Sequence, residues 1–168
     1  MSSAASTRPR PTHDRVTIAV VAALFNDHYV QGLIDAAKDE LAELAPNASV
    51  TVYRVPGSYE LPVCAELAIK GLRPDVVIAF GVIIRGETEH ADLIAASATN
   101  ALQEIALRHV TPVINQVLLV NSEEQADERC FGAKINRGTE AARAAIYMIS
   151  LFKKMHASFA GAPALEES

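Results

Sequence analysis

The sequence predicts an α/β protein in which a four-stranded parallel sheet lies between two layers of helices. Three observations carry that expectation. Two uncharged runs, Val16 to Leu24 (VTIAVVAAL) and Val76 to Ile84 (VVIAFGVII), are short and rich in β-branched residues, the signature of strands buried on both faces. Each is followed by a segment of helical period. Strand and helix then alternate through 168 residues, a length suited to one domain with a sizeable core.

Met1 to Arg15, made of Ser, Ala, Thr, Pro and Arg without period, reads as a flexible arm. Residues 16–156 form the single domain. After the first strand, Asn26 or Asp27 can cap a helix from about His28 to Leu44, with Leu33, Ala36, Ala37, Leu41 and Leu44 on its inward face. Ser49 to Val55 alternates and is expected nearer an edge. VPGSYELP, Val55 to Pro62, turns into a helix from about Tyr59 to Lys70, closed by Gly71 and barred from restarting by Pro74. The central strand Val76 to Ile84 leads to a helix from Glu87 to Arg108. Pro112 to Val120 is the fourth strand. Asn121-Ser122-Glu123-Glu124 caps a short helix to about Arg129. Phe131 to Arg137 connects to a last helix from Gly138 to about His156, and residues 157–168 form a flexible tail. The whole is a three-layer α/β/α fold, flavodoxin-like in outline.

Composition narrows the function. A net charge of −5 argues against nucleic acid as a partner. An anionic substrate would need a locally positive pocket, because the global field repels it. The longest apolar stretches fall short of the ~20 residues of a membrane span, and no secretory leader is recognisable, so no membrane partner and a cytoplasmic location are expected. Cys64 and Cys130 have no metal or redox spacing and read as buried thiols. Walker A, GxGxxG and metal-spaced clusters are absent from the sequence, so no cofactor or metal is expected.

The candidates for chemistry collect at the carboxyl ends of the strands, where open α/β sheets bind ligands. Phe25 and Asn26 follow the first strand, Ser58 to Glu60 the strand Ser49 to Val55, and Gly86 to His90 the central one. Phe25 can stack a flat heterocycle or simply staple a helix. Glu60 can accept hydrogen bonds from hydroxyls or merely complement a helix dipole. The helix start at Glu87 and Thr88 offers N–H groups to a phosphate. His90, in the first turn beside it, is an acid–base group or a plain surface histidine. Arg129 and Arg137 are anion ligands or solvated charges.

FND at Phe25, VPGSYELP at Val55, GVIIRGETEH at Gly81, PVINQVL at Pro112 and EEQADER at Glu123 occur in this order across Val16 to Lys154. Together they resemble lumazine synthase, the 6,7-dimethyl-8-ribityllumazine synthase of riboflavin biosynthesis. The resemblance implies condensation of 5-amino-6-(D-ribitylamino)uracil with 3,4-dihydroxy-2-butanone 4-phosphate, without metal or redox cofactor. It implies that Phe25, next to Asn26, stacks the pyrimidine, and that Ser58, Tyr59 and Glu60 hold the ribityl chain. The backbone of Val82, Ile83 and Ile84 would read the pyrimidine edge. Gly86, Glu87 and Thr88 would take the phosphate with Arg129, whose planar fork suits it. His90 would be the catalytic histidine, and Arg137 stands where a lysine is usual.

The chain departs from the family pattern at Asn115, where an aromatic commonly covers the heterocycle across a subunit boundary. Asn115 is expected at the ligand edge of its strand. The connector FGAKINRG also differs from that of shell-forming members. The resemblance implies a homo-oligomer based on a pentamer and makes riboflavin synthase a further candidate partner. A non-catalytic flavin- or lumazine-binding oligomer and a flavodoxin-like electron carrier are the alternatives. LFNDH lacks the Ser/Thr-rich phosphate turn of an electron carrier, and His90 with Arg129 argues against a binder without catalysis.

Overall fold

The computed structural model describes residues 7–161; the first six residues of the expected arm and positions 162–168 of the expected tail lie outside the described residues. Its strands are β1 (Thr17–Ala23), β2 (Ser49–Val55), β3 (Val76–Ile84) and β4 (Val113–Val120). Its helices are α1 (Asp27–Leu44), α2 (Leu61–Leu72), α3 (His90–His109), α4 (Glu123–Phe131) and α5 (Arg137–Ala160), with a 3₁₀ turn at Ser58–Glu60. All strand pairs are parallel, in the order β2-β1-β3-β4. The three-layer α/β/α arrangement expected from the alternation is the one found.

The pleat of the inner strands explains the layers. Ile18, Val20 and Ala22 of β1 and Val76, Ile78, Phe80 and Val82 of β3 point to one face, where they pack with α1, α4 and α5. Ala19, Val21, Val77 and Ala79 point to the other, against α2 and α3. Both faces are dry, which is why these strands carry no charge. Phe80, Ile18 and Ile78 are fully buried.

The chain steps from β1 outward to β2, returns across β1 to β3, and continues to β4. The direction of winding therefore reverses between β1 and β3, and their carboxyl ends open a crevice there. Pairing of β1 with β3 stops at Ala22 and Phe80. Beyond that point Asn26, in the left-handed region at φ 57, donates from Nδ2 to the Val82 carbonyl at 2.7 Å and bridges the splayed ends. Asn26 thus caps α1 by backbone conformation, without a side-chain bond to the helix.

Several boundaries differ from the sequence expectation. Helix α2 ends not at Gly71 but at Leu72, because Pro74 bars Arg73 from the helical region and Arg73 turns left-handed at φ 48. Helix α3 starts at His90, three residues after the expected Glu87. Residues 86–89 are a loop, and the Leu93 N–H bonded to the Glu89 carbonyl marks the helix start. Helix α5 starts at Arg137 because the Asn136 side chain accepts from the N–H groups of Gly138 and Thr139. It continues past His156 to Ala160. A Cβ on Gly138 would lie 2.2 Å from the Leu33 carbonyl oxygen, so α5 meets α1 backbone to backbone. Cys130 is buried as expected, whereas Cys64 is only partly so. Within the expected arm, Arg8 reaches Glu40 and Glu43, and the Thr12 N–H bonds the Leu44 carbonyl at 2.8 Å.

Candidate active site

The crevice between β1 and β3 holds a cavity of about 400 Å³. Phe25 enters it from the turn after β1, and Gly57, Ser58, Tyr59 and Glu60 from the turn after β2. Val82, Ile83 and Ile84 come from the end of β3, and Gly86, Thr88 and His90 from the loop and helix start that follow. Ala91 and Ile94 on α3 complete the wall. The wall is mainly apolar, with a few convergent polar groups, the usual build of a small-molecule site.

Each group is held by local chemistry. Ser58 is buried, and its Oγ would sit 2.4 Å from a Cβ on Gly81, so only glycine at that point of β3 lets the 3₁₀ turn lie against the sheet. Glu60 accepts a hydrogen bond at Oε2 from the Gly57 N–H at 2.9 Å, which closes the turn on itself and holds its carboxylate at the cavity. Phe25 is 72% exposed, a large apolar surface for one ring and one that a flat ligand or another chain can cover. His90 is the first residue of a helix of 20 residues, where the dipole and unpaired N–H groups favour an anion.

The turn after β1 is braced from β2. Arg54 donates to the Ala23 carbonyl at 2.9 Å, to the Gln31 side chain at 3.0 Å and to Asp27. The loop after β3 is braced by Arg85. Its guanidinium takes both carboxylate oxygens of Asp92, with contacts of 2.6 to 3.2 Å, and the Asn121 side chain at 2.6 Å. That pairing lowers the Asp92 carboxyl below its ordinary range and raises the Arg85 guanidinium.

Ten of the fifteen site residues expected from the sequence line this one cavity: Phe25, Ser58, Tyr59, Glu60, Val82, Ile83, Ile84, Gly86, Thr88 and His90. Asn26 sits just behind it, with its amide committed to Val82. Glu87 is exposed on the loop. Arg129 is on α4, donating to the Gln125 carbonyl at 3.2 Å, and Arg137 pairs with Glu140 at the start of α5; neither lines the cavity of its own chain. Asn115 is not at the ligand edge. It pairs with Ala79 in mid-sheet on the edge strand β4, donates to Thr99 Oγ1 at 3.1 Å and accepts from the Val117 N–H at 2.9 Å. At that edge stands Asn121, just past the end of β4 and its last pair, Ile84 with Val120. Gly57, Ala91 and Ile94 were not expected; Ala91 and Ile94 follow His90 at one and four, a spacing that could have revealed them.

A family model described as 6,7-dimethyl-8-ribityllumazine synthase matches residues 15–153. This chain belongs to the 6,7-dimethyl-8-ribityllumazine synthase family. Curated relatives of that name include one from Chlorobium phaeobacteroides, 42% identical over 81% of this chain and 88% of the relative. Another from Halorhodospira halophila is 40% identical over 83% of this chain and 90% of the relative. Among solved structures, an acetyl xylan esterase covers 83% of this chain and 74% of its own at a TM-score of 0.37 and 14% identity, too slight a likeness to bear on function. Residues 15–153 of the lumazine synthase match contain the whole cavity wall and both bracing arginines.

Proposed function

We propose that this protein is a lumazine synthase that condenses 5-amino-6-(D-ribitylamino)uracil with 3,4-dihydroxy-2-butanone 4-phosphate, releasing phosphate and water, in riboflavin biosynthesis. The observation that carries the reading is the single cavity where Phe25, the Ser58–Glu60 turn and His90 converge, in a chain of this family. Phe25 stacks the pyrimidine, the backbone of Val82, Ile83 and Ile84 reads its edge, and Ser58, Tyr59 and Glu60 hold the ribityl hydroxyls. Gly86, Glu87, Thr88 and the start of α3 receive the phosphate. The 5-amino group adds to the ketone and a first water leaves from the carbinolamine. Phosphate is then eliminated, the enol becomes a carbonyl, and the ribitylamino nitrogen closes the ring on it with loss of a second water. His90 shuttles protons in these steps, a contribution of roughly 10²–10⁴-fold at most. Holding both reactants in register supplies much of the remaining acceleration.

Among the described residues no Lys or Arg lines the cavity, and Arg129, Arg137 and Asn115 lie outside it. A neighbouring copy that brings those residues to the cavity would meet the electrostatic need. The exposed apolar side chains Phe25, Val63, Leu67, Leu93 and Leu107 support assembly of copies, based on a pentamer. Riboflavin synthase, as consumer of the product, is the natural partner. Among the described residues no helix is long and apolar enough to cross a membrane; the free thiols of Cys64 and Cys130 favour a reducing cytoplasm.

Purified protein given both substrates should produce the absorbance and fluorescence of the lumazine. His90→Ala should lower turnover by about two orders of magnitude while pyrimidine binding, read by calorimetry, stays within twofold. Full turnover in the His90→Ala protein would remove the histidine from the mechanism. An inactive wild type that still binds riboflavin would favour a binding role instead.

A further inference from the structure

We propose that Arg85 and Asp92 act as a positioning pair, a latch that holds the loop 86–91 in the geometry the cavity requires. This rests on the lumazine synthase reading of that cavity. The pair joins the residue after β3 to the first turn of α3, closing a loop of six residues, 86 to 91. Four of the six line the cavity: Gly86, Thr88, His90 and Ala91. Arg85 itself does not line it.

The latch is over-determined on the arginine side. The Arg85 N–H bonds the Val120 carbonyl at 2.9 Å, fixing its backbone to β4. Its guanidinium fork grips both oxygens of Asp92, and a third nitrogen bonds Asn121 at the end of β4. One side chain therefore references the start of α3 to the edges of two strands. A planar fork on a carboxylate fixes orientation as well as distance, which a lysine cannot do.

The exposure of the pair separates positioning from plain stabilisation. The side chains of Arg85 and Asp92 are 42% and 48% exposed, and ion pairs in that setting add little to global stability. Loop ordering is different, because residues 86–89 are neither helix nor strand and have no other ion pair among the described residues. Loss of the latch should free this loop without unfolding the domain.

The test compares Arg85→Lys, Asp92→Asn and the exchanged pair Arg85→Asp with Asp92→Arg, all in the full chain. Hydrogen exchange at residues 86–91 should accelerate at least tenfold in the first two, with the melting temperature nearly unchanged. In turnover assays their kcat should fall roughly ten- to hundredfold, as for an ångström-scale misplacement of reacting groups, with KM for the pyrimidine within twofold. The exchanged pair should recover part of the protection and of kcat. Unchanged exchange and unchanged kcat would overturn the latch. A fall in melting temperature with uniform loss of protection across the domain would overturn it too, by showing a purely structural pair. If wild-type protein fails to condense the two substrates, the function reading fails. The exchange data then still decide whether the pair orders the loop: accelerated exchange upholds that, and unaltered exchange refutes it.

Discussion

Replacing Gly81 by alanine adds one methyl group at the point where the sheet touches the cavity's polar turn. That Cβ would meet Ser58 Oγ at 2.4 Å, Ser58 Cβ at 3.3 Å and Leu61 Cδ1 at 3.3 Å. Gly81 lies one residue past the last β1–β3 pair, at Phe80, but is paired with Val117 in the run of β3–β4 bonds that continues to Ile84, which holds β3 in place. Instead the turn Ser58–Glu60 and the start of α2 must withdraw, by about 1 Å to restore ordinary contact. Overpacking of this kind costs ~1–3 kcal/mol. The same shift moves Tyr59 and Glu60 at the cavity, where an ångström is worth about a hundredfold in rate. Urea unfolding should therefore show a midpoint loss with unchanged slope, and the pyrimidine substrate should be weakened more than the phosphate-bearing one. The second substitution Ser58→Gly should recover most of the stability. Wild-type stability and pyrimidine affinity in Gly81→Ala, or no recovery in the double variant, would refute the argument that Ser58 demands glycine there.

Asn26→Asp replaces the donor facing the Val82 carbonyl with a carboxylate; leaving that acceptor unpaired should cost ~1–3 kcal/mol by denaturant unfolding, and Asn26→Gly should cost less despite losing the same bond, since it keeps the left-handed turn. Val110 ends α3 at φ 48 with its side chain 72% exposed, a strained place for a β-branched residue; Val110→Gly should stabilise by ~0.5–1 kcal/mol, seen as a rise of roughly 2 °C in melting temperature. Glu66 is drawn from 4.5 to about 2 by Lys70 first, then His109 and Arg108. Its folded value is the depressed one, so its stabilisation is complete above 4.5 and is lost as pH falls toward 2; Glu66→Gln should flatten the stability profile in that window and leave it parallel to wild type above it.

The legible parts of this fold are those written in periods. Val16 to Leu24 and Val76 to Ile84 announce themselves because both faces of β1 and β3 are buried; Phe25 and His90 followed from where these strands end, and Glu60 from the turn after β2. Asn115 was misplaced because register is a property of two strands: β4 starts level with Val77, so the ligand edge falls at Asn121, just past its end. The late start of α3 had a related cause. Glu87 and Thr88 fit a helix locally, but Arg85 gripping Asp92 spans a loop there, a contact with no periodic signature. Likewise Arg73 rather than Gly71 ends α2, since the constraint came from Pro74 downstream. The bracing of the site by Arg54 was equally silent, because its partners Ala23, Asp27 and Gln31 come from another strand and helix.

The backbone contact between Gly138 and Leu33 has a mechanical consequence. Packed helices usually slide on a cushion of side chains that can change rotamer. Here α1 and α5 touch without that cushion, near the first turn of α5. Neither can roll about its axis or slip along the other without its backbone colliding. The turn bearing Phe25 begins one of these helices, and Arg137 begins the other. Any copy of the chain thus carries the Phe25 ring and the Arg137 side chain on a single stiff chassis, with their spacing set by the fold itself.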